Sequence, residues 1–188
     1  MEMKSFKSKI IAIAAMLVVA ASAAMAAPAT GEQDSSLQQQ INQKIHKELV
    51  TLPYYGAFDN LAYKVEGDTV TLYGQVLNPT TRSDAARSIA RIPGVSHVIN
   101  NIEVLPPSPL DDQTRRQTHR AVFSSGDLSR YAMGANPSIH IIVNNGNVTL
   151  EGVVANRMDS QLAYTAASQV PYVFSVTNHL RVESDTAR

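Results

Sequence analysis

Apolar and polar positions alternate in two separate stretches of the chain, and the two stretches read alike. "TVTLYGQV" (residues 69–76) puts Val70, Leu72, Gly74 and Val76 on one side of an extended segment. "NVTLEGVV" (residues 147–154) does the same with Val148, Leu150, Gly152 and Val154. A second alternating run precedes each across a turn, "LAYKV" in one case and "SIHIIV" in the other, so each pair predicts a β-hairpin. Ahead of the first hairpin, Leu37, Ile41, Ile45 and Leu49 recur every four residues, the stripe of an amphipathic helix, with Asp34 or Ser35 as its cap. After it, Ala85, Ala86, Ile89 and Ile92 make a narrow apolar face that Pro93-Gly94 ends, and "VSHVINNIEV" alternates again. The second half repeats this order: a helix from about Asp112 to Phe123, the hairpin, a helix from about Ser160 to Val170, and the strand "VFSVTNHLRV".

The likeness extends well beyond the hairpins. At an offset of 78 residues, 12 of the 35 positions between 70–104 and 148–182 are identical, without a gap. They include Asn78 and Asn156, Ala85 and Ala163, Pro93 and Pro171, and Asn100 and Asn178. Two copies at so long a period predict a duplicated small domain, since a solenoid stacks several shorter units. The predicted fold is α+β: two tandem αββαβ two-layer sandwiches, each a three-stranded mixed sheet covered on one face by two helices. "LPPSPLDD" lies between them, and its prolines favour a stiff extended connector, with Asp111 or Asp112 as cap of the following helix. The expected organisation is a signal peptide over 1–26, a flexible tail over 27–36, the first domain over 37–105, a linker over 106–111 and the second domain over 112–183.

The first 26 residues carry a different pattern. Lys4, Lys7 and Lys9 precede an uncharged apolar run from Ile10 to Ala26 that closes in Ala24-Met25-Ala26, the layout of a secretory signal peptide cleaved after Ala26. A retained membrane anchor is the competing reading, and the run is shorter than a comfortable span. Cleavage leaves 13 basic and 15 acidic residues and no further apolar stretch long enough to cross a bilayer. Such a balance gives no basic surplus for nucleic acid. The absence of cysteine removes disulfides, thiolate catalysis and a lipidated N-terminus, so the protein is expected free in the periplasm, or secreted.

Four positions invite a structural reading. Gly74 and Gly152 sit in the inward phase of the middle strand, where an alanine-rich helix is expected to pack close. Asn100 and Asn178 interrupt the apolar phase of the last strand, and each amide is expected to tie down a neighbouring loop or helix end. Catalytic patterns are missing: there is no GxSxG, no phosphate loop and no HExxH, and the five histidines do not pair at metal-ligand spacing. Nothing in the sequence asks for a cofactor.

The candidate interaction surface is aromatic and basic. "LPYYGAF" places Tyr54, Tyr55 and Phe58 between helix and strand, and "SRYAMGANP" offers Tyr131 and Met133 in the second copy. Aromatics with polar tips suit headgroups and protein interfaces, or else such loops fold inward and fill the seam between two thin cores. Arg115, Arg116 and Arg120 read as a basic stripe on the second opening helix, either solvated or facing an anionic headgroup.

"VTLxGxV", then an alanine-rich helix, then a strand of the form P-[GY]-V-x-x-V-x-N-x-[IL]-x-V, written twice behind a signal peptide, resembles the BON domain family. The resemblance covers roughly 37–105 and 112–183. It implies an αββαβ fold, an envelope setting of the soluble, osmotically induced periplasmic type, and a non-catalytic role at phospholipid surfaces or envelope proteins. The competing function is that of a periplasmic chaperone holding unfolded outer-membrane proteins.

Overall fold

The computed structural model describes residues 30–183 apart from 125 and 135, with side-chain surroundings from Leu37 onward; the expected signal peptide lies outside the described residues. Two sheets form, one in each half, and each has the strand from the "VTL" phrase at its centre. In the first half α1 (Thr30–Val50), β1 (Asn60–Glu66), β2 (Thr69–Val76), α2 (Pro79–Ile89) and β3 (His97–Val104) follow one another. β1 runs antiparallel to β2, and β3 runs parallel to it. In the second half α3 (Pro109–Phe123), a 3-10 turn over Ser129–Ala132, β4 (Ile139–Asn144), β5 (Asn147–Val154), α4 (Arg157–Ser168), β6 (Ser175–Asn178) and β7 (Arg181–Val182) repeat the plan. Here β4 pairs antiparallel with β5, while β6 and β7 pair parallel with it in turn. The α+β tandem architecture read from the sequence is the one that forms.

Each half buries its own core. Ile45, Leu49, Val70, Leu72, Val76, Ala85, Ile89 and Ile102 form the first, and Val122, Leu128, Ile139, Ile141, Val148, Leu150, Ala163 and Ala167 belong to the second. The period-2 and period-4 stripes of the sequence point into these clusters, as burial of apolar surface requires.

Several boundaries move. α1 starts at Thr30, so residues 30–36 extend the helix instead of forming a tail, and the cap expected at Asp34 or Ser35 falls inside it. α2 and α4 start earlier than their alanine stripes suggested, because the repeated asparagine is the cap: Asn78 Oδ1 accepts from the Thr80 amide at 2.9 Å and Asn156 Oδ1 from the Asp159 amide at 2.9 Å. Pro79 then fills the first turn, where a missing N–H is harmless. The linker is shorter than expected, since Ser108 caps α3 by accepting from the Asp111 amide at 3.2 Å. Asp111 is buried and accepts from the Asn145 and Gly146 amides at 3.0 and 2.8 Å, clasping the hairpin turn to α3.

The two strand glycines have a different cause from the one expected. Gly74 and Gly152 adopt φ of +116° and +123°, and a Cβ would sit 2.0 Å from the carbonyl oxygens of Asn60 and Ser138 respectively. The obstacle is the backbone of the antiparallel neighbour, not the helix above. Both asparagines of the last strand tie to the first turn of the helix before it, α2 and α4 respectively: Asn100 Nδ2 donates to the Arg82 carbonyl at 2.9 Å, and Asn178 Nδ2 to Ser160 Oγ at 2.9 Å. Each also accepts from a strand amide two residues on, Ile102 at 3.2 Å and Leu180 at 3.1 Å. Asn178 does this while solvent-exposed, so burial is not what selects the amide there.

Replacing either strand glycine by alanine meets both a left-handed backbone and a carbonyl that cannot move away. Gly152→Ala is expected to lower stability by at least about 2 kcal/mol in urea titration. Gly126→Ala, where a Cβ meets open space, is expected to stay within about 0.5 kcal/mol.

Candidate functional site

The loop between α1 and β1 leaves the first half and lies against the second. The Ile141 amide donates to the Ala57 carbonyl at 2.7 Å, so one residue of the loop pairs with the outer edge of β4. Gly56 and His140 meet through a 3.2 Å contact from the Gly56 carbonyl to His140 Nδ1. The Tyr55 and His140 rings lie 5.4 Å apart, and the Phe58 and His119 rings 5.8 Å apart at a steep angle. Phe58 packs against the second core, and Asn136 Nδ2 returns a hydrogen bond to the Val50 carbonyl at the end of α1. The loop aromatics therefore fill a seam.

Charge is buried in the same place. Asp59 accepts from the Leu77 amide at 2.7 Å and the Gly56 amide at 3.0 Å, and burial raises its carboxyl above the usual range against the pull of those hydrogen bonds. Arg115 is 2% exposed, bonded to Asp112 Oδ1 at 2.5 Å and to the Val143 carbonyl at 2.6 Å, while its buried Nε has no partner among the described residues. Arg115 lines a cavity of about 410 Å³ together with Leu77 of the first half and Leu105 and Pro107 of the connector.

The basic stripe expected on α3 is thus split. Arg115 turns inward, whereas Arg116 and Arg120 are exposed. Tyr131 is also buried: its hydroxyl donates to Asp159 Oδ2 at 2.5 Å and accepts from the Ala155 amide at 2.9 Å, while Arg130 bonds the same carboxylate. Tyr55 is half-buried in the seam, and burial pushes its hydroxyl up to about 12. Of the eight residues in the candidate surface, Tyr55, Phe58, Tyr131 and Arg115 are therefore taken up by internal contacts. Tyr54 and Met133, both 73% exposed, and the exposed Arg116 and Arg120 remain on the surface.

Arg120 lines two shallow hollows. One, of about 510 Å³, lies between α3 and the end of α4 and reaches Val170 and Pro171; the other, of about 460 Å³, holds Arg116, His119 and Phe58. Beyond Pro171 come Tyr172 and Phe174, 59% and 76% exposed. Tyr172 has φ of +69°, a conformation that bulky residues avoid, at the position where the first half has Gly94. The Phe174 amide bonds the Gly146 carbonyl at 2.9 Å, next to the turn that Asp111 clasps.

A family model described as the BON domain matches residues 33–106 and again 111–184. The chain belongs to the BON domain family. No curated protein matches it. Among solved structures it is similar to the C-terminal domain of CdsD, a structural protein of the type III secretion system of Chlamydia trachomatis, at 12% identity and a TM-score of 0.31, covering 74% of this chain and 96% of that one. A second CdsD structure from the same organism gives 11% identity and a TM-score of 0.32, covering 79% and 96%. The BON domain is a non-catalytic, binding-type domain associated with membrane or phospholipid binding, and two of them point to a non-enzymatic, envelope-associated protein. Among the described residues no helix is long and apolar enough to cross a membrane.

Sequence reasoning missed Tyr172 and Phe174. The offset of 78 carries the signal, because it sets them against Gly94 and Ser96 of the first BON copy, yet Phe174 falls within the alternating run that reads as strand and Tyr172 immediately before it.

The seam should respond to pH. Burial lowers the pKa of His140 and of His119, so the folded protein resists a proton that the unfolded chain accepts near 6.5. Their contribution is complete above that value and is lost as pH falls through it. Asp59, with its raised pKa, acts with the opposite sign, between its unfolded value and its raised folded one. The thermal midpoint is therefore expected to fall between pH 7.5 and 5.5, with a shallower fall in His140→Gln. Arg115→Ala is expected to cost about 2–4 kcal/mol by urea titration, since it leaves the Val143 carbonyl without a partner and a hole in the seam.

Proposed function

We propose that this protein is a non-enzymatic periplasmic adaptor that associates reversibly with phospholipid headgroups at the envelope, in the setting of envelope or osmotic stress. The observation that carries the reading is that the second BON copy exposes Arg116 and Arg120 on α3, and that Arg120 shares a hollow with Val170 and Pro171, from which the chain runs on to exposed Tyr172 and Phe174. Guanidinium groups recognise phosphate oxygens, and aromatic rings suit the headgroup layer. Tyr54 and Met133 offer further exposed apolar surface.

The test is cosedimentation of the protein lacking residues 1–26 with anionic and neutral vesicles across a salt series. Binding is expected to anionic vesicles and to weaken with salt. Each arginine near an anionic surface contributes about 1 kcal/mol, so Arg116→Ser with Arg120→Ser should weaken binding about thirty-fold. Phe174→Ser should weaken it further without changing the salt slope. Binding that ignores both vesicle charge and these substitutions would overturn the reading, and suppressed aggregation of an unfolded client without vesicle binding would favour a chaperone.

A further inference from the structure

Two histidines of the second BON domain stand in the seam, and both meet the α1–β1 loop of the first. The Gly56 carbonyl lies 3.2 Å from His140 Nδ1, and the Tyr55 ring lies 5.4 Å from the His140 ring. His119 is held between Phe58, 5.8 Å away, and Phe123 of its own helix, 4.6 Å away. The Ala57–Ile141 backbone bond and the bond from Asn136 to the Val50 carbonyl complete this set of contacts. The other three histidines, His46, His97 and His179, are exposed. Among the described residues neither core cluster contains a histidine. Charging His119 and His140 therefore acts on the seam and leaves each domain's own core untouched.

The surroundings of the two rings decide the sign. For His140, burial holds the pKa below its usual value, against the backbone of Gly56 and Asp59 and the carboxylates of Asp59 and Glu151, which favour the charged form. Arg181 and His46 line the same groove, and His179 already bonds Glu151 at 2.8 Å, so that carboxylate is shared. His119 shares its hollow with Arg116 and Arg120, and no carboxylate lines it among the described residues. A proton there joins two cations without a counter-charge, and burial lowers this pKa as well. The link between the domains suits a hinge. Leu105 bonds Val76 at 2.9 Å and Ser108 caps α3, which leaves Pro106-Pro107 between two fixed points. Proline locks φ but leaves ψ free, so a short tether can turn and close again.

We propose that the seam is an acid-operated clasp: protonation of His119 and His140 releases the α1–β1 loop from the second domain. The domains then swing apart about Pro106-Pro107 with each sheet intact, and Tyr55 and Phe58 are uncovered. Below about 6.5 each histidine raises the open-to-closed ratio by up to about ten-fold per pH unit, until its own closed-state pKa is reached. Burial raises the carboxyl of Asp59, so its protonation favours the closed form and opposes release in the carboxylate range. The clasp does not depend on the lipid reading.

The chain has no cysteine, so Ser83→Cys and Gln161→Cys, exposed and equivalent positions of α2 and α4, accept a fluorescent donor and acceptor. Energy transfer is expected to fall reversibly between pH 7.5 and 5.5, while far-ultraviolet circular dichroism stays constant. Amide protection, corrected for the intrinsic rate, is expected to drop at least ten-fold at Ile141 and to hold at Leu72 and Leu150. His119→Gln with His140→Gln should keep energy transfer constant over this range, and each single change should make its fall shallower. Constant transfer in the protein with both histidines, or an equal fall in the double variant, would overturn the proposal. So would loss of protection at Leu72 and Leu150 together with Ile141, which is unfolding of the domains. Should the double variant not fold, ring titration by nuclear magnetic resonance decides: values for both His119 and His140 at or above 6.5 overturn the clasp, and values below it, with the fall in transfer, support it.

Discussion

The hydrogen bonds that close the outer edge of β4 are what the rest of the assembly depends on. A three-stranded sheet has two edges, and bare backbone groups at an edge are satisfied by water, by a partner or by the protein itself. Here the first BON copy supplies Ala57 and the second supplies Arg115. To bring Ala57 to Ile141, the loop from Leu52 to Asp59 crosses between the domains, carrying Tyr55 onto His140 and Phe58 onto His119. Asp59 fixes the loop's far end through the Gly56 and Leu77 amides. One edge-closing requirement thereby explains why aromatic residues that look available in the sequence are spent inside.

Duplication supplied two similar frames, and the differences between them show where each was adapted. The amide just before the helix-capping asparagine is unsatisfied by its own helix in both copies. In the first, Asp59 accepts from it at Leu77; in the second, the Tyr131 hydroxyl accepts from it at Ala155. The same structural need is met by different chemistry, and both solutions draw the α1–β1 loop or its counterpart against the end of the central strand. At the opposite end the second copy replaces Gly94 with Tyr172 and Ser96 with Phe174, accepting a left-handed tyrosine in exchange for exposed aromatic surface.

The elements legible in the sequence are those fixed by local period. Strand alternation and the helical stripe of α1 depend on neighbours two to four residues apart, and the internal repeat doubles the signal. Helix starts were less legible, because the alanine faces of α2 and α4 drew attention away from Asn78 and Asn156, whose capping role needs only the two or three residues after them. The burial of Arg115 was not legible at all. Its spacing from Arg116 and Arg120 suggests one stripe, and only a contact 28 residues away, to the Val143 carbonyl, turns it inward. Gly74 and Gly152 were recognised as structural, but the carbonyl that requires them belongs to a neighbouring strand whose register the sequence does not state.

The seam that closes the β4 edge gives the two domains distinct surfaces. Because Arg115 is committed to Val143 and Asp112, the positive charge left for partners on α3 is confined to Arg116 and Arg120, on the side that carries the hollow reaching Pro171. The α1–β1 loop that pairs with β4 also reaches β1, where the Tyr55 hydroxyl meets the Leu61 amide, and Asn60–Tyr63 border the interdomain groove. Both exposed features follow from the same seam. A change that loosens the seam should therefore disturb the groove, which both domains wall, and also the hollow in which Arg116 and Arg120 meet Phe58 of the first domain.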